Sequence, residues 1–372
     1  MSKLEQLINE LCPEGVEYRR LENCCEILDN KRKPVTKSAR EAGKYPYYGA
    51  NGIQDYVSNY IFDGTFVLVG EDGSVVTEIG TPIVTWATGK IWVNNHAHII
   101  SEINGVLLRY LFHYLQTVPV KHLIHGNIPK LTGGDFRALK IAVPPLPVQE
   151  EIVRILDKFT ELTAELTAEL TARKQQYEYY RDRLFANYKS APKKKLIEVA
   201  DISRGIRVVK KQLISNGNYP VYQNSLAPMG YYDKYNCNGN TTYVISAGAA
   251  GEIGYCETNF WAADDCLFFS NLREINNKYI YYFLLTKQDF IYSNVRKASI
   301  PRLSRTVIEN LQIPIISIDE QEQVVNLLNR FDKLCNDISE GLPAEIEARQ
   351  KQYEYYRDKL LTFKKKEATE NE

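Results

Sequence analysis

Between residues 148 and 189, apolar side chains recur at Ile152, Ile155, Leu156, Phe159, Leu162, Leu166, Leu170, Tyr177 and Leu184, the spacing of one stripe along a helix. The prolines of Pro144-Pro145-Leu146-Pro147 cannot sit inside a helix, so the pattern predicts a start near Val148. A second stripe follows Ile313-Pro314 at Val324, Val325, Leu328, Phe331, Leu334, Cys335 and Ile338, with Asp319 expected as its N-cap. Gly341-Leu342-Pro343 should kink or restart that helix, and the tail from Lys364 onward should be frayed. Elsewhere the pattern changes. Gly64-Thr65-Phe66-Val67-Leu68-Val69-Gly70 and Thr241-Thr242-Tyr243-Val244-Ile245-Ser246 are short, β-branched or aromatic runs bounded by glycine or asparagine, which predicts strands and turns. Short helices are expected over 106–115 and 278–285.

The chain also repeats itself. Residues 172–184, Ala-Arg-Lys-Gln-Gln-Tyr-Glu-Tyr-Tyr-Arg-Asp-Arg-Leu, return at 348–360 with ten of thirteen positions identical. Weaker echoes keep the same order: Tyr45-Pro46-Tyr47-Tyr48 against Tyr219-Pro220-Val221-Tyr222, Ile128-Pro129-Lys130-Leu131 against Ile300-Pro301-Arg302-Leu303, and Gln149-Glu150 against Gln321-Glu322. Two copies of one unit are therefore expected, each a variable strand-rich region followed by a helical one. The predicted boundaries are 1–147, 148–190, 191–317 and 318–372. The fold class is α+β: two strand-rich mixed domains separated by two long helices that pack as an antiparallel coiled coil, with internal pseudo-two-fold symmetry.

Composition narrows the function. With 372 residues, 44% hydrophobic and 25% charged, the chain is long enough for two folded domains. Lysine plus arginine equals aspartate plus glutamate at 46 each, so any grip on nucleic acid must be local and not a matter of bulk charge. The opening residues lack a signal peptide and no segment approaches a membrane span, so a cytoplasmic location without membrane attachment is expected. Seven scattered cysteines without CxxC spacing indicate reduced thiols. His96-Ala97-His98 and His122-Leu123-Ile124-His125 have no carboxylate or cysteine at a metal-ligand spacing, so no metal site is expected. The segment 248–254 is rich in glycine but lacks GxGxxG spacing and reads as a turn beside a strand. Neither an Asn-Pro-Pro-Tyr-type methyltransferase motif nor a phosphate loop is present, so the chain is expected to be non-catalytic with no cofactor of its own.

Local charge is uneven. Basic and amide side chains suited to phosphates and base edges cluster in both variable regions. The DNA-contact candidates are Lys31, Arg32, Lys33, Lys37, Arg40, Tyr48, Asn51, Lys121 and Lys130 in the first, and Arg204, Arg207, Lys210, Lys211, Gln223, Asn224, Ser225, Arg296, Lys297 and Arg302 in the second. For each of them a solvated face is the competing reading.

The order of domains, together with Leu11-Cys12-Pro13-Glu14-Gly15-Val16, the junction Ile141-Ala142-Val143-Pro144-Pro145-Leu146-Pro147-Val148-Gln149-Glu150-Glu151-Ile152 and the segment Gly341-Leu342-Pro343-Ala344-Glu345-Ile346, resembles the specificity subunits (HsdS family) of type I restriction-modification enzymes. The segment Ile313-Pro314-Ile315-Ile316-Ser317 departs from the first junction in lacking its Pro-Pro-Leu-Pro run. The resemblance implies a DNA-binding chain that works with two modification (methyltransferase) subunits and with restriction (translocase/endonuclease) subunits on double-stranded DNA. S-adenosylmethionine, ATP and Mg would be held by those partners. The repeated Tyr177, Tyr180, Arg181, Tyr353, Tyr356 and Arg357 are candidate partner contacts, with packing between helices as the alternative. The resemblance also makes the first helix a spacer between half-sites. It contains a perfect tandem Thr-Ala-Glu-Leu repeat at 163–170, and Gln149 to Gln176 spans 27 positions where Gln321 to Gln352 spans 31, a difference of one such unit. The competing overall reading is a two-headed scaffold that joins two identical protein partners without reading DNA.

Overall fold

The first stripe folds as one helix, Leu146–Asn187, of 42 residues. It starts two residues earlier than the prolines suggest, because Pro147 occupies the first turn, where no backbone N–H is required, and the Pro145 carbonyl accepts from Val148 and Gln149. The structure, a computed structural model, describes residues 2–73, 75–336 and 341–366. The second stripe is two helices of 19 residues each, Ile318–Asn336 and Leu342–Leu360. A break therefore occurs at Gly341-Leu342-Pro343, as the sequence suggests; Ile338 lies outside the described residues. Asp319 is not the N-cap. Ser317 is, with its Oγ accepting from the Glu320 N–H at 3.3 Å while the Glu320 carboxylate accepts from the Ser317 N–H at 3.1 Å.

The chain divides into two units, Met1–Glu165 with Ile346–Glu372, and Leu166–Glu345. In the first unit a six-stranded sheet runs in the order Glu26–Ile27, Ala97–Ser101, Phe62–Gly70, Val84–Val93, Ala42–Gly49, Gly52–Val57. Its parallel pairing sets Tyr47 against Trp92 and Tyr48 against Val93. The helices Leu108–Leu115, close to the expected 106–115, and Gly133–Ala138 complete the unit. The second unit has a four-stranded sheet (Asp201–Arg204, Cys266–Ser270, Thr241–Ile245, Ile253–Cys256) and a three-stranded one (Gly230–Tyr232, Tyr219–Tyr222, Trp261–Ala262). Here the parallel pairing sets Val221 against Trp261 and Tyr222 against Ala262, so the Tyr-Pro echo holds the same register in both units.

The echo at Gln149 and Gln321 has a physical basis. Both side chains are fully buried. Gln149 accepts from the Leu107 N–H and donates to the Gly105 and Pro144 carbonyls. Gln321 accepts from the Asn276 N–H and donates to the Glu274 and Ile316 carbonyls. One amide thus ties each domain to the helix behind it through three backbone groups that would otherwise be buried without partners. In the first unit Tyr110 adds a bond from its hydroxyl to the Ala142 carbonyl at 2.8 Å, and in the second Tyr279 does the same to Pro314 at 3.2 Å.

Each unit is closed by its copy of the thirteen-residue repeat. In the second unit the end of the long helix supplies Tyr177 and Phe185 to the core, and Tyr180 stacks on Phe331. In the first unit the C-terminal helix supplies Tyr353, and Tyr356 stacks on Phe159. The tail beyond it is not frayed as far as Lys366. Lys365 pairs with Val16, the Val16 N–H donates to the Lys364 carbonyl, the Lys366 N–H donates to the Val16 carbonyl, and Tyr18 donates to the Phe363 carbonyl. Gly15 makes this possible. Its φ is +104°, and a Cβ added there would lie 2.5 Å from the Lys364 carbonyl oxygen, so no side chain fits.

Candidate nucleic-acid interface

The third echo, Ile-Pro-Lys-Leu against Ile-Pro-Arg-Leu, places one cation at the same point of each unit. Lys130 pairs with Asp72 and with His125, while the Gly73 N–H donates to the Pro129 carbonyl and the Leu131 N–H to the Glu71 carbonyl. Arg302 pairs with Ala247 and with Arg296, while the Gly248 N–H donates to the Pro301 carbonyl and the Leu303 N–H to the Ser246 carbonyl. In both units an excursion of the chain is thus pinned to the end of a central strand by the same backbone bonds. Gly73 and Gly248 take φ of +82° and +85° at the pinning point. The glycine-rich segment of the second unit is therefore a turn beside a strand, as its sequence suggests.

In the second unit Asn224 joins this cluster, because its carbonyl accepts from Ala249 and its Cβ lies beside Gly248. Arg296, Lys297, Arg302 and Asn224 are all exposed there, and among the described residues none of the three cations has an ion pair. Arg204, Arg207, Lys210 and Lys211 are likewise exposed and without an ion pair among the described residues, on the segment whose Ile206 carbonyl is held by the Trp261 indole N–H at 2.7 Å. Gln223 and Ser225 are half-buried.

The first unit arranges its cations differently. Lys33, Lys37, Asn51 and Lys121 are exposed, and Lys31 is exposed within 3.9 Å of Glu26. The Trp92 indole N–H holds the Lys33 carbonyl at 2.7 Å, as Trp261 holds Ile206. Arg32 is committed elsewhere: its guanidinium donates to Glu71 at 2.6 Å and to the Ala97 carbonyl at 2.7 Å. Arg40 lies 4.1 Å from the Tyr47 ring centroid and pairs with Asp55 at 3.2 Å. Tyr48 is buried and packs inside the sheet core, so its ring is not presented at the surface. Lys130 is 46% exposed and shares its charge with Glu71 at 3.1 Å.

A network that sequence spacing does not reveal lies behind these residues. Buried His98 shares a hydrogen bond through Nδ1 with Asp29 at 2.7 Å, meets the Leu131 carbonyl at 3.0 Å, and stacks on Phe136. Asp29, Glu71 and His98 offer ligand atoms within 4.8 Å of one another. Arg32 and Lys130 supply positive charge to Glu71 at that point, so the group reads as an ion-pair network that fixes the loops carrying Lys31, Lys33 and Lys130. Asp29 and Glu71 are far from His98 in sequence, and only the sheet brings them together.

The helical candidates are mostly turned inward. Tyr177, Tyr353 and Arg357 are buried, and Arg181 is half-buried over the Tyr177 ring. Tyr180 and Tyr356 stack on Phe331 and Phe159. Packing within each unit accounts for these side chains; the outward-facing members of the repeat are Glu178, Tyr179 and Asp182, and Glu354, Tyr355 and Asp358.

Two copies of a strand-rich domain, each pinned to a helix by one glutamine and each presenting exposed cations on strand-end loops, define a two-headed binding protein. The model of the type I restriction modification DNA specificity domain family matches residues 13–173 and again 189–348, and the chain belongs to that family. It is 36% identical over 377 residues to a Haemophilus influenzae protein whose name calls it a putative type I restriction enzyme specificity subunit, covering 94% of this chain and 96% of that one. It is 33% identical to the EcoR124I/EcoR124II specificity subunit of Escherichia coli, over 72% of this chain and 74% of that one. In fold it is similar to the S subunit of a type I restriction-modification system from M. genitalium, with a TM-score of 0.63 at 16% identity over 93% of this chain and 96% of that one. These relatives are named as specificity subunits, the non-catalytic component of such systems. Among the described residues no helix is long and apolar enough to cross a membrane.

Proposed function

We propose that this chain reads a bipartite DNA target, each unit recognising one half-site, and so directs adenine methylation by two modification subunits and cleavage by restriction subunits in the cytoplasm. S-adenosylmethionine, ATP and Mg would be held by those partners. The observation that carries the reading is the equivalent pinning of Lys130 and Arg302: after the two domains have diverged widely in sequence, a cation remains at one structurally equivalent point of each. Exposed cations on rigid loops are what phosphate contact and base-edge readout require. Arg302, whose guanidinium is free of any carboxylate among the described residues, suits a guanine edge or a phosphate better than Lys130, whose charge is shared with Glu71.

The test is to co-express the chain with its cognate modification subunit in a methylation-free host and map methyladenine. Two short half-sites around a fixed gap are expected. A correctly assembled complex that leaves no bipartite motif would overturn the reading.

A further inference from the structure

The thirteen-residue repeat separates positions that the fold explains from positions it does not. Its three differences, Lys174 against Gln350, Gln175 against Lys351 and Arg183 against Lys359, all fall on exposed side chains, so exposed positions here do drift. Tyr177 and Tyr353 are identical because both are buried, and Asp182 and Asp358 each hold the arginine before them at 2.9 and 2.8 Å. Glu178 with Tyr179, and Glu354 with Tyr355, have no such account. Both tyrosines are largely exposed, at 59% and 62%, and yet unchanged. Simple recency of duplication does not explain it, because the buried partners of the same segment have diverged: His113 and Asp157 in the first unit stand where Tyr282 and Asn329 stand in the second.

The two tyrosines are also held alike. Tyr179 packs edge-on against Tyr180 at 5.6 Å, and Tyr355 against Tyr356 at 5.3 Å, and each inner ring is stacked in turn on Phe331 or Phe159. A rigid, half-wet aromatic ring loses little entropy on burial and makes a strong interface anchor. The carboxylates of Glu178 and Asp182, or Glu354 and Asp358, flank the ring at helical spacing and repel phosphate, so nucleic acid is a poor occupant.

We propose that the faces carrying Glu178-Tyr179 and Glu354-Tyr355 are two equal docking sites for one protein, the modification subunit, whose matching surface receives the ring and places basic groups around it. The proposal rests on the functional reading above and adds its contact point. Two unchanged copies of an otherwise unrestrained surface are what two identical partners would preserve.

The test is titration of the full-length chain with its modification subunit, followed by native mass spectrometry. The unsubstituted chain should take two partners. Tyr179→Ala or Tyr355→Ala should weaken one of the two sites by about 30-fold, and the double variant should weaken both. Tyr179→Phe and Tyr355→Phe should retain binding, and thermal unfolding of all variants should match the parent, since the side chains are exposed. Two partners bound at unchanged affinity by the double alanine variant would overturn the proposal. So would intact stoichiometry with a loss of DNA affinity or of self-association, which would assign the face to another occupant. Failure of the unsubstituted chain to bind the modification subunit at all would instead bring down the functional reading itself.

Discussion

At the scale of single residues, the two copies of one tyrosine show how the same side chain can help one unit and burden the other. The Tyr353 hydroxyl lies 2.9 Å from His113 Nδ1, and His113 Nε2 lies 2.8 Å from Asp157. A carboxylate only accepts, so Nε2 carries the proton and Nδ1 accepts from Tyr353. Tyr177 occupies the equivalent place in the second unit, but its hydroxyl is buried with no partner, because Tyr282 there donates to Asn329 instead. Tyr353→Phe should therefore destabilise the chain by about 1–3 kcal/mol, leaving His113 Nδ1 unpaired, whereas Tyr177→Phe should be neutral or stabilising. Urea unfolding of both variants checks this, and equal losses would contradict it. The same network carries a pH dependence. Burial, chiefly, holds the His113 imidazole below its ordinary 6.5, against the pull of Asp157. A histidine depressed in the fold is neutral there while the unfolded chain still takes up a proton, so the stability it confers is full above about pH 6.5 and lost as pH falls through the depressed value. The fall in stability between pH 7 and 5 should be shallower in His113→Gln. Burial raises Asp157, yet hydrogen bonds from His113 and Arg109 outweigh it and hold the carboxyl below 3.8, so its contribution is lost only at more acid pH.

Among the elements, the long helix is legible in the sequence because its stripe is regular and its prolines stand at one end. Its start is two residues harder to place, because a proline is as good in a first turn as it is bad in a middle one. The cap at Ser317 is hidden for a related reason: Ser317 and Asp319 are both good caps by composition, and only the reach of Glu320 decides between them. The repeated Gln149 and Gln321 are visible as an echo without a visible role, since a buried amide and a solvated one look alike in sequence. The structure makes them the joints between domain and helix. Gln149→Ala and Gln321→Ala should each cost about 3 kcal/mol through three orphaned backbone groups, and hydrogen exchange should show the loosening confined to the substituted unit. The candidate DNA contacts divide in the same manner. Exposed lysines can be found by type alone, but Arg32, Arg40 and Tyr48 look no different in sequence from free ones until the sheet brings Glu71, Asp55 and the core against them.

For the molecule as a whole, the tandem repeat at 163–170 gives the sharpest consequence of the proposed reading. It lies wholly inside the one helix Leu146–Asn187, so an added Thr-Ala-Glu-Leu unit lengthens a helix and not a loop. It also contributes little to either core: Val148, Ile152 and Leu156 are buried before it and Tyr177 and Phe185 after it, while no residue from 160 to 170 is buried. Length can therefore change there without unmaking a domain. One four-residue unit adds ~6 Å of helix and turns it about 40° beyond a full revolution. Duplex DNA rises ~3.4 Å and turns roughly 35° for each base pair. Length alone asks for about two more base pairs and rotation for about one, so the gap in the methylated motif should widen by one or two, with both half-sites unchanged. Methylation mapping of the insertion variant reads both quantities at once. A changed half-site would mean that the insertion had distorted a reading domain, and an unchanged gap would mean that the helix does not set the spacing.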